Sequence, residues 1–196
     1  LDMINSRGFS YNEISDLLYY LSSSGKSEHT LEKCFILKNL LDRENLNYAD
    51  IQSIMETLYS LHDTGTLNNI KPLLNDLFDE QFNPADISLI LSNISNDTAE
   101  SAAQIALVKK LIKLDISPNQ ISSLKDALGN STVAPEVMGA KVYNLVNSGV
   151  DIELVLNICN NAKAVSIFNQ DVIAILSRLK ADGADVRGIV DMTKTP

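Results

Sequence analysis

Four groups of side chains in this 196-residue sequence could do chemistry: two histidines, two cysteines, a scatter of carboxylates and a set of tyrosines lying among acids. A catalytic base needs an oriented partner within hydrogen-bond reach. His29 and His62 fall at or beside polar breaks in different parts of the chain, and each reads as a solvated loop residue. Cys34 and Cys159 are far apart, each inside an apolar stretch, with no CxxC or Cys/His cluster. Both read as buried small hydrophobes, not as zinc ligands or half-cystines. Asp76, Asp79 and Glu80 lack calcium-loop spacing and read as a solvated helix end. No glycine-rich phosphate loop, nucleophile elbow or HExxH stretch occurs. The expectation is a protein that is not an enzyme, with no cofactor and no metal.

The tyrosines remain. Tyr19, Tyr20, Tyr48 and Tyr59 stand in the same stretch as Asp16, Asp50, Glu56, Asp63, Asp76, Asp79 and Glu80. The chain as a whole carries a formal net charge of −9 with 45% hydrophobic residues, which excludes a disordered acidic tail. No apolar run approaches the roughly 20 residues of a membrane span. Lys109-Lys110-Leu111-Ile112-Lys113 is the only basic run, and one cluster does not track a phosphate backbone. Tyrosines among acids suit a protein interface instead.

The elements that must position these residues repeat. Phe9-Ser10-Tyr11-Asn12-Glu13-Ile14 is echoed at Leu46–Ile51, Phe82–Ile87 and Ile116–Ile121, and more weakly at Val150–Val155 and Ala184–Ile189. The copies start 37, 36, 34, 34 and 34 residues apart. Their second column (Ser10, Asn47, Asn83, Ser117, Asp151, Asp185) holds only side chains that cap helix N-termini. Pro84 and Pro118 follow at the first helical position, where a missing N–H costs nothing. Glu13 and Gln120 complete capping boxes, while Asp50 and Asp86 place negative charge in the first turn. The pairs Phe9/Ile14, Leu46/Ile51, Phe82/Ile87 and Ile116/Ile121 are hydrophobic staples.

From each cap an apolar stripe runs at helical spacing: Ile14, Leu17, Leu18, Leu21; Ile51, Ile54, Met55, Leu58; Ile87, Ile90, Leu91, Ile94. Polar breaks follow at Ser22–Gly25, His62–Gly65, Ser95–Thr98 and Gly129–Thr132, and the extra residues of the first unit fall in the Ser22–His29 loop. A second helix closes each unit. Its leucine lies five residues before the next copy, at Leu41, Leu77, Leu111, Leu145 and Leu179. Gly149 and Gly183 are helix stops.

A lone hairpin cannot bury both apolar faces, so neighbours must stack. The expected fold is all-α: a right-handed α-solenoid of tandem helix-loop-helix repeats at 9–45, 46–81, 82–115, 116–149 and 150–183. Partial repeats lie at 1–8, with Ile4 in the leucine column and Gly8 as its stop, and at 184–196. The chain opens on Leu1 without a signal-like segment and reads as a piece of a longer repeat protein.

A hairpin repeat of this period resembles the tetratricopeptide, pentatricopeptide and TAL-effector class. Phe82-Asn83-Pro84-Ala85-Asp86-Ile87 is similar to the opening of a TAL-effector repeat, although Asn93-Ile94-Ser95-Asn96 has no Gly-Gly where such repeats read a base, and the tetratricopeptide Trp is missing. In architecture and Asn/Ile-rich composition the chain also resembles the helical-hairpin repeat domain of rickettsial surface antigens that nucleate actin as formins do. That resemblance implies a bacterial protein with actin as partner.

On the first helix of each unit, the face opposite the stripe carries Asp16 and Tyr19, then Ser53 and Glu56, Leu89 and Ser92, Ser123 and Asp126, Asn157 and Asn160, since positions advance about 100° per residue. These pairs vary while the core columns do not. The first two units hold seven of the nine net negative charges. The expected function is a non-catalytic scaffold for protein–protein interaction. The expected partner is a protein with a basic surface, actin and a second copy being the candidates, and the candidate contact residues are Asp16, Tyr19, Tyr20, Tyr48, Ser53, Glu56 and Tyr59. The alternatives are an actin-binding or actin-nucleating repeat domain of a bacterial surface antigen, and a nucleic-acid-binding solenoid, which the charge disfavours.

Overall fold

The caps at Ser10, Asn47, Asn83 and Ser117 do start helices. The computed structural model of the chain describes residues 7–22, 27–114, 116–129, 135–147, 149, 150, 152, 155 and 178–185. Expectations placed on Ile4, Ser131–Thr132, Asp151, Asn157, Cys159, Asn160, Val186–Pro196 and the side chain of Asp126 lie outside the described residues. Every regular element among the described residues is an α-helix: α1 (Tyr11–Leu21), α2 (Ser27–Leu41), α3 (Tyr48–Tyr59), α4 (Thr64–Asp79), α5 (Pro84–Leu91), α6 (Thr98–Leu111), α7 (Pro118–Gly129) and α8 (Pro135–Asn147). The chain divides into two compact units, Leu1–Ile105 and Ala106–Pro196.

In the first unit, Ser10 N–H donates to Glu13 Oε2 at 2.7 Å while Ser10 Oγ accepts from Glu13 N–H at 3.4 Å, a complete capping box. Asp50 does the same for Asn47, at 3.0 and 3.1 Å, so its short side chain closes a box as well as placing charge. Asn83 Oδ1 accepts from Asp86 N–H at 2.9 Å, and Pro84 opens α5. The second helices start earlier than expected. Asp63 caps α4 by accepting from Thr66 N–H at 2.6 Å, which draws Thr64 and Gly65 out of the polar break and into the helix. Asp97 accepts from the Ala99 and Glu100 N–H groups at 3.0 and 2.9 Å at the start of α6. Pro72 lies inside α4, on its exposed side, and removes one helical N–H without opening the buried stripe.

Helices end where the repeats meet. At the close of α4, Phe82 N–H reaches back to the Leu77 carbonyl and Gln81 N–H to that of Phe78, both at 3.0 Å. Those two bonds are the Schellman arrangement, which needs a left-handed residue at its turn. Gln81 supplies it at φ 63°, where L side chains are strained. The equivalent residues Gly8, Gly149 and Gly183 hold φ values of 71°, 81° and 79°.

First helices pack on first helices, α1 on α3 and α3 on α5, and second helices likewise, α2 on α4; α2 also contacts α1 and α3. The core between them is Leu17, Leu21, Ile51, Ile54, Met55, Leu58, Ile87, Ile90 and Leu91 from the first helices, with Ile36, Leu37, Leu40, Leu67, Ile70, Leu73, Leu74 and Leu77 from the second. Each such side chain contributes about 1.5–3 kcal/mol on burial. Polar side chains join successive copies: Ser53 to Ser88 at 2.8 Å, Thr66 to Ser101 at 2.8 Å, and Asn39 to Asn75 at 3.3 Å.

Three expectations are corrected here. Leu18 is 41% exposed rather than part of the buried stripe, because α1 turns Leu17 and Leu21 inward and Leu18 sits at the margin of that face. Cys34 is exposed, and its neighbour Lys33 is buried, because α2 turns positions 29, 33, 36, 37 and 40 inward. His29 is a buried residue of α2 and not a solvated loop residue, since α2 begins at Ser27. His62 is exposed between α3 and α4, as expected.

In the second unit α7 packs against α8, with Ile116, Ile121, Val142, Leu145 and Val150 buried. Val150 N–H reaches the Leu145 carbonyl at 3.1 Å around Gly149, and Ala184 N–H reaches that of Leu179 at 2.9 Å around Gly183. Leu77, Leu145 and Leu179 are therefore acceptors of a terminating bond, and Leu77 and Leu145 are core positions as well; after Leu41 the Leu46 N–H goes to the Arg43 carbonyl instead.

Candidate interaction surface

The sequence places Tyr19 and Tyr20 near the end of α1 and Tyr59 at the end of α3, and the contact between those two helices brings all three together. Tyr19 and Tyr59 stack, with centroids 5.2 Å apart and rings 20° from parallel. Tyr20 stands edge-on to both, at 5.8 Å from Tyr19 and 6.1 Å from Tyr59. The Tyr59 hydroxyl donates to the Tyr19 hydroxyl at 3.1 Å, and this bond, with partial burial, pushes the Tyr59 phenol above its ordinary pKa. Aromatic pairs of this kind contribute about 0.5–1.5 kcal/mol beyond their burial.

The Tyr48 hydroxyl, at the start of α3, donates to Asp16 Oδ2 in the middle of α1 at 3.1 Å. Burial, then that bond and the Asp16 charge, push Tyr48 up to about 12. Asp16 lies one turn before Tyr19 and Tyr20, so five of the seven candidate residues form one continuous face of α1 and α3. Glu56 is exposed one turn before Tyr59. Ser53 does not join them. It is half-buried and turned toward α5, where it bonds Ser88.

Three further residues shape the face. Phe9 meets Tyr48 edge-on at 5.7 Å, and Gln52 Nε2 approaches the Tyr20 hydroxyl at 3.5 Å. Lys33 comes up from beneath: its side chain is fully buried, its ammonium donates to the Tyr59 carbonyl at 2.9 Å and lies 5.7 Å from the Tyr59 ring centroid. That carbonyl belongs to the negative end of α3, which suits a cation. Burial nevertheless draws the Lys33 pKa down to about 8. Its place in the helical spacing Lys33, Ile36, Leu37, Leu40 is the signal that could have shown it as an inward position.

A second set of polar groups lies between α2 and α4. Phe35, Asn39, Lys71 and Asn75 line a cleft of about 390 Å³. Lys71 pairs with Glu32 and lies 4.7 Å from the Phe35 centroid, while Arg43 stacks 4.1 Å from that of Phe78 and donates to Asn75 Oδ1 at 2.9 Å. Nearby, the loops are tied together: Asn96 Oδ1 accepts from the His62 and Asp63 N–H groups at 2.8 and 3.0 Å, and the Thr98 hydroxyl donates to Asp63. The Thr98 bond, with the Thr66 donors and the His29 charge, holds the Asp63 carboxyl below its usual range.

No family model, curated protein or solved structure matches the chain. Among the described residues no three His, Cys, Asp or Glu side chains converge as a metal site would need. No described helix is long and apolar enough to cross a membrane.

Proposed function

We propose that this chain is a non-catalytic helical-repeat scaffold whose first two hairpins dock a basic protein surface. In this reading the hairpins 9–45, 46–81, 82–115, 116–149 and 150–183 stack as a right-handed α-solenoid. The observation that carries it is the contact of like with like, α1 on α3 on α5 and α2 on α4, which holds Tyr19, Tyr20 and Tyr59 in one ordered stack beside Asp16. Such stacking would leave a row of first-helix faces open to a partner. The rings are fixed by their own contacts, so docking on them immobilises little that is not already held. The first two hairpins carry most of the chain's net negative charge, which speeds encounter with a basic protein, an effect that weakens with salt.

The test is to capture a partner by cross-linking to the full chain and to repeat the capture with Tyr19→Ala and Glu56→Lys. Loss of the same protein with both variants supports the reading. Cosedimentation with filamentous actin, or tight binding to duplex DNA that both variants retain, would replace it with one of the alternatives.

A further inference from the structure

Cations in this protein seat on aromatic rings. Lys33 lies on Tyr59, Arg43 on Phe78, Lys71 on Phe35 and Lys110 on Tyr143, at 4.1–5.7 Å from the ring centroids. Among the described residues no cation lies on Tyr19, which is 58% exposed while Tyr59 stacks on it at 5.2 Å. Tyr19 is held by the stack and by the Tyr59 hydroxyl, so its orientation is fixed before any partner arrives. One turn earlier on α1, the exposed Asp16 carboxylate is held through Oδ2 by the Tyr48 hydroxyl.

We infer that the basic partner is read through arginine, one guanidinium lying flat on Tyr19 with its edge donating to Asp16. The inference rests on the proposed docking of a basic protein and names the side chain that does it. A planar guanidinium can stack on a ring face and donate along its edge at the same time. A lysine ammonium is a compact, strongly hydrated point charge: it can pair with a carboxylate and sit over a ring, as Lys71 does with Glu32 and Phe35, but it offers no plane to stack flat and no fork to donate along an edge. The net charge of the first two units attracts either cation equally, so a preference between them must come from this geometry.

The probes are two labelled peptides of equal length and charge, oligoarginine and oligolysine, titrated with the full chain by fluorescence anisotropy. The arginine peptide should bind about fivefold more tightly, the scale of one exposed cation–ring contact. Tyr19→Ala should reduce the arginine peptide to the lysine level, and Tyr19→Phe, which keeps the ring, should preserve the preference. Asp16→Asn should narrow it. Circular dichroism of each variant checks that the exposed substitution leaves the helices intact. Equal affinity for both peptides, or a preference that survives Tyr19→Ala, overturns the arginine assignment and leaves the docking of basic proteins standing. Binding of neither peptide removes both.

Discussion

Phe82 N–H donates to the Leu77 carbonyl at 3.0 Å, closing a turn whose central residue, Gln81, has a φ of 63°. Glycine fills the matching position at Gly8, Gly149 and Gly183. Among the described residues of this column, Gln81 alone bears the steric penalty of a Cβ at positive φ. Gln81→Gly should therefore raise stability by about 1 kcal/mol, read as a higher melting midpoint. A lower midpoint would mean that the Gln81 side chain makes a contact worth more than the strain.

Caps and core should separate cleanly. Asn83→Ala removes the acceptor for Asp86 N–H and should cost about 1 kcal/mol. Leu111 is fully buried, and Leu111→Ala should cost roughly 2–5 kcal/mol. Equal shifts in denaturant midpoint would contradict the assignment of Leu111 to the core column.

The fold is legible in this sequence wherever local chemistry decides it. Ser10, Asn47, Asn83 and Ser117 mark helix starts because a cap is satisfied within three residues of itself, and the leucine column is legible because Leu41, Leu77, Leu111 and Leu145 each bury an apolar side chain at the end of a helix. The second helices are less so. Cys34 reads as buried only if the rotation of α2 about its axis is left free. Contacts with α1, α3 and α4 set that rotation, turning Lys33 inward and the thiol outward. Ser53 shows the same limit: its pairing with Ser88 depends on how α3 meets α5, not on its own neighbours in sequence. The tyrosines were visible as a group, but their stacking order follows from the contact between α1 and α3.

Lys33 gives the protein a pH signature. Its folded pKa of about 8 lies below the ordinary 10.5, so in that window the unfolded chain binds the extra proton and stability rises with pH. The gain between about pH 8 and pH 10 is on the order of 2 kcal/mol. Above about pH 10 the trend reverses, because Tyr48, raised to about 12, and Tyr59, also raised, favour their neutral forms in the folded state. Urea titrations across this range should show the rise in the wild type and not in Lys33→Met. A rise that persists in the variant would assign it to another group.

Truncation tests the stacking. Cutting after Val150 keeps the bond from Val150 N–H to the Leu145 carbonyl that closes α8. If each hairpin leans mainly on its neighbours, the 1–150 fragment should stay helical by circular dichroism and melt at a lower temperature. Complete loss of helical signal would point to a core shared along the whole chain.

The most direct measurement is the affinity of the full chain for a captured basic partner, compared with that of the Tyr19→Ala/Glu56→Lys double variant across a range of salt. The expected result is a loss of at least about tenfold at low salt, the scale of one interface hot spot, while Asn119→Ala on the exposed surface of α7 leaves affinity unchanged. Unchanged affinity in the double variant, with loss in Asn119→Ala, would contradict docking on the face of α1 and α3.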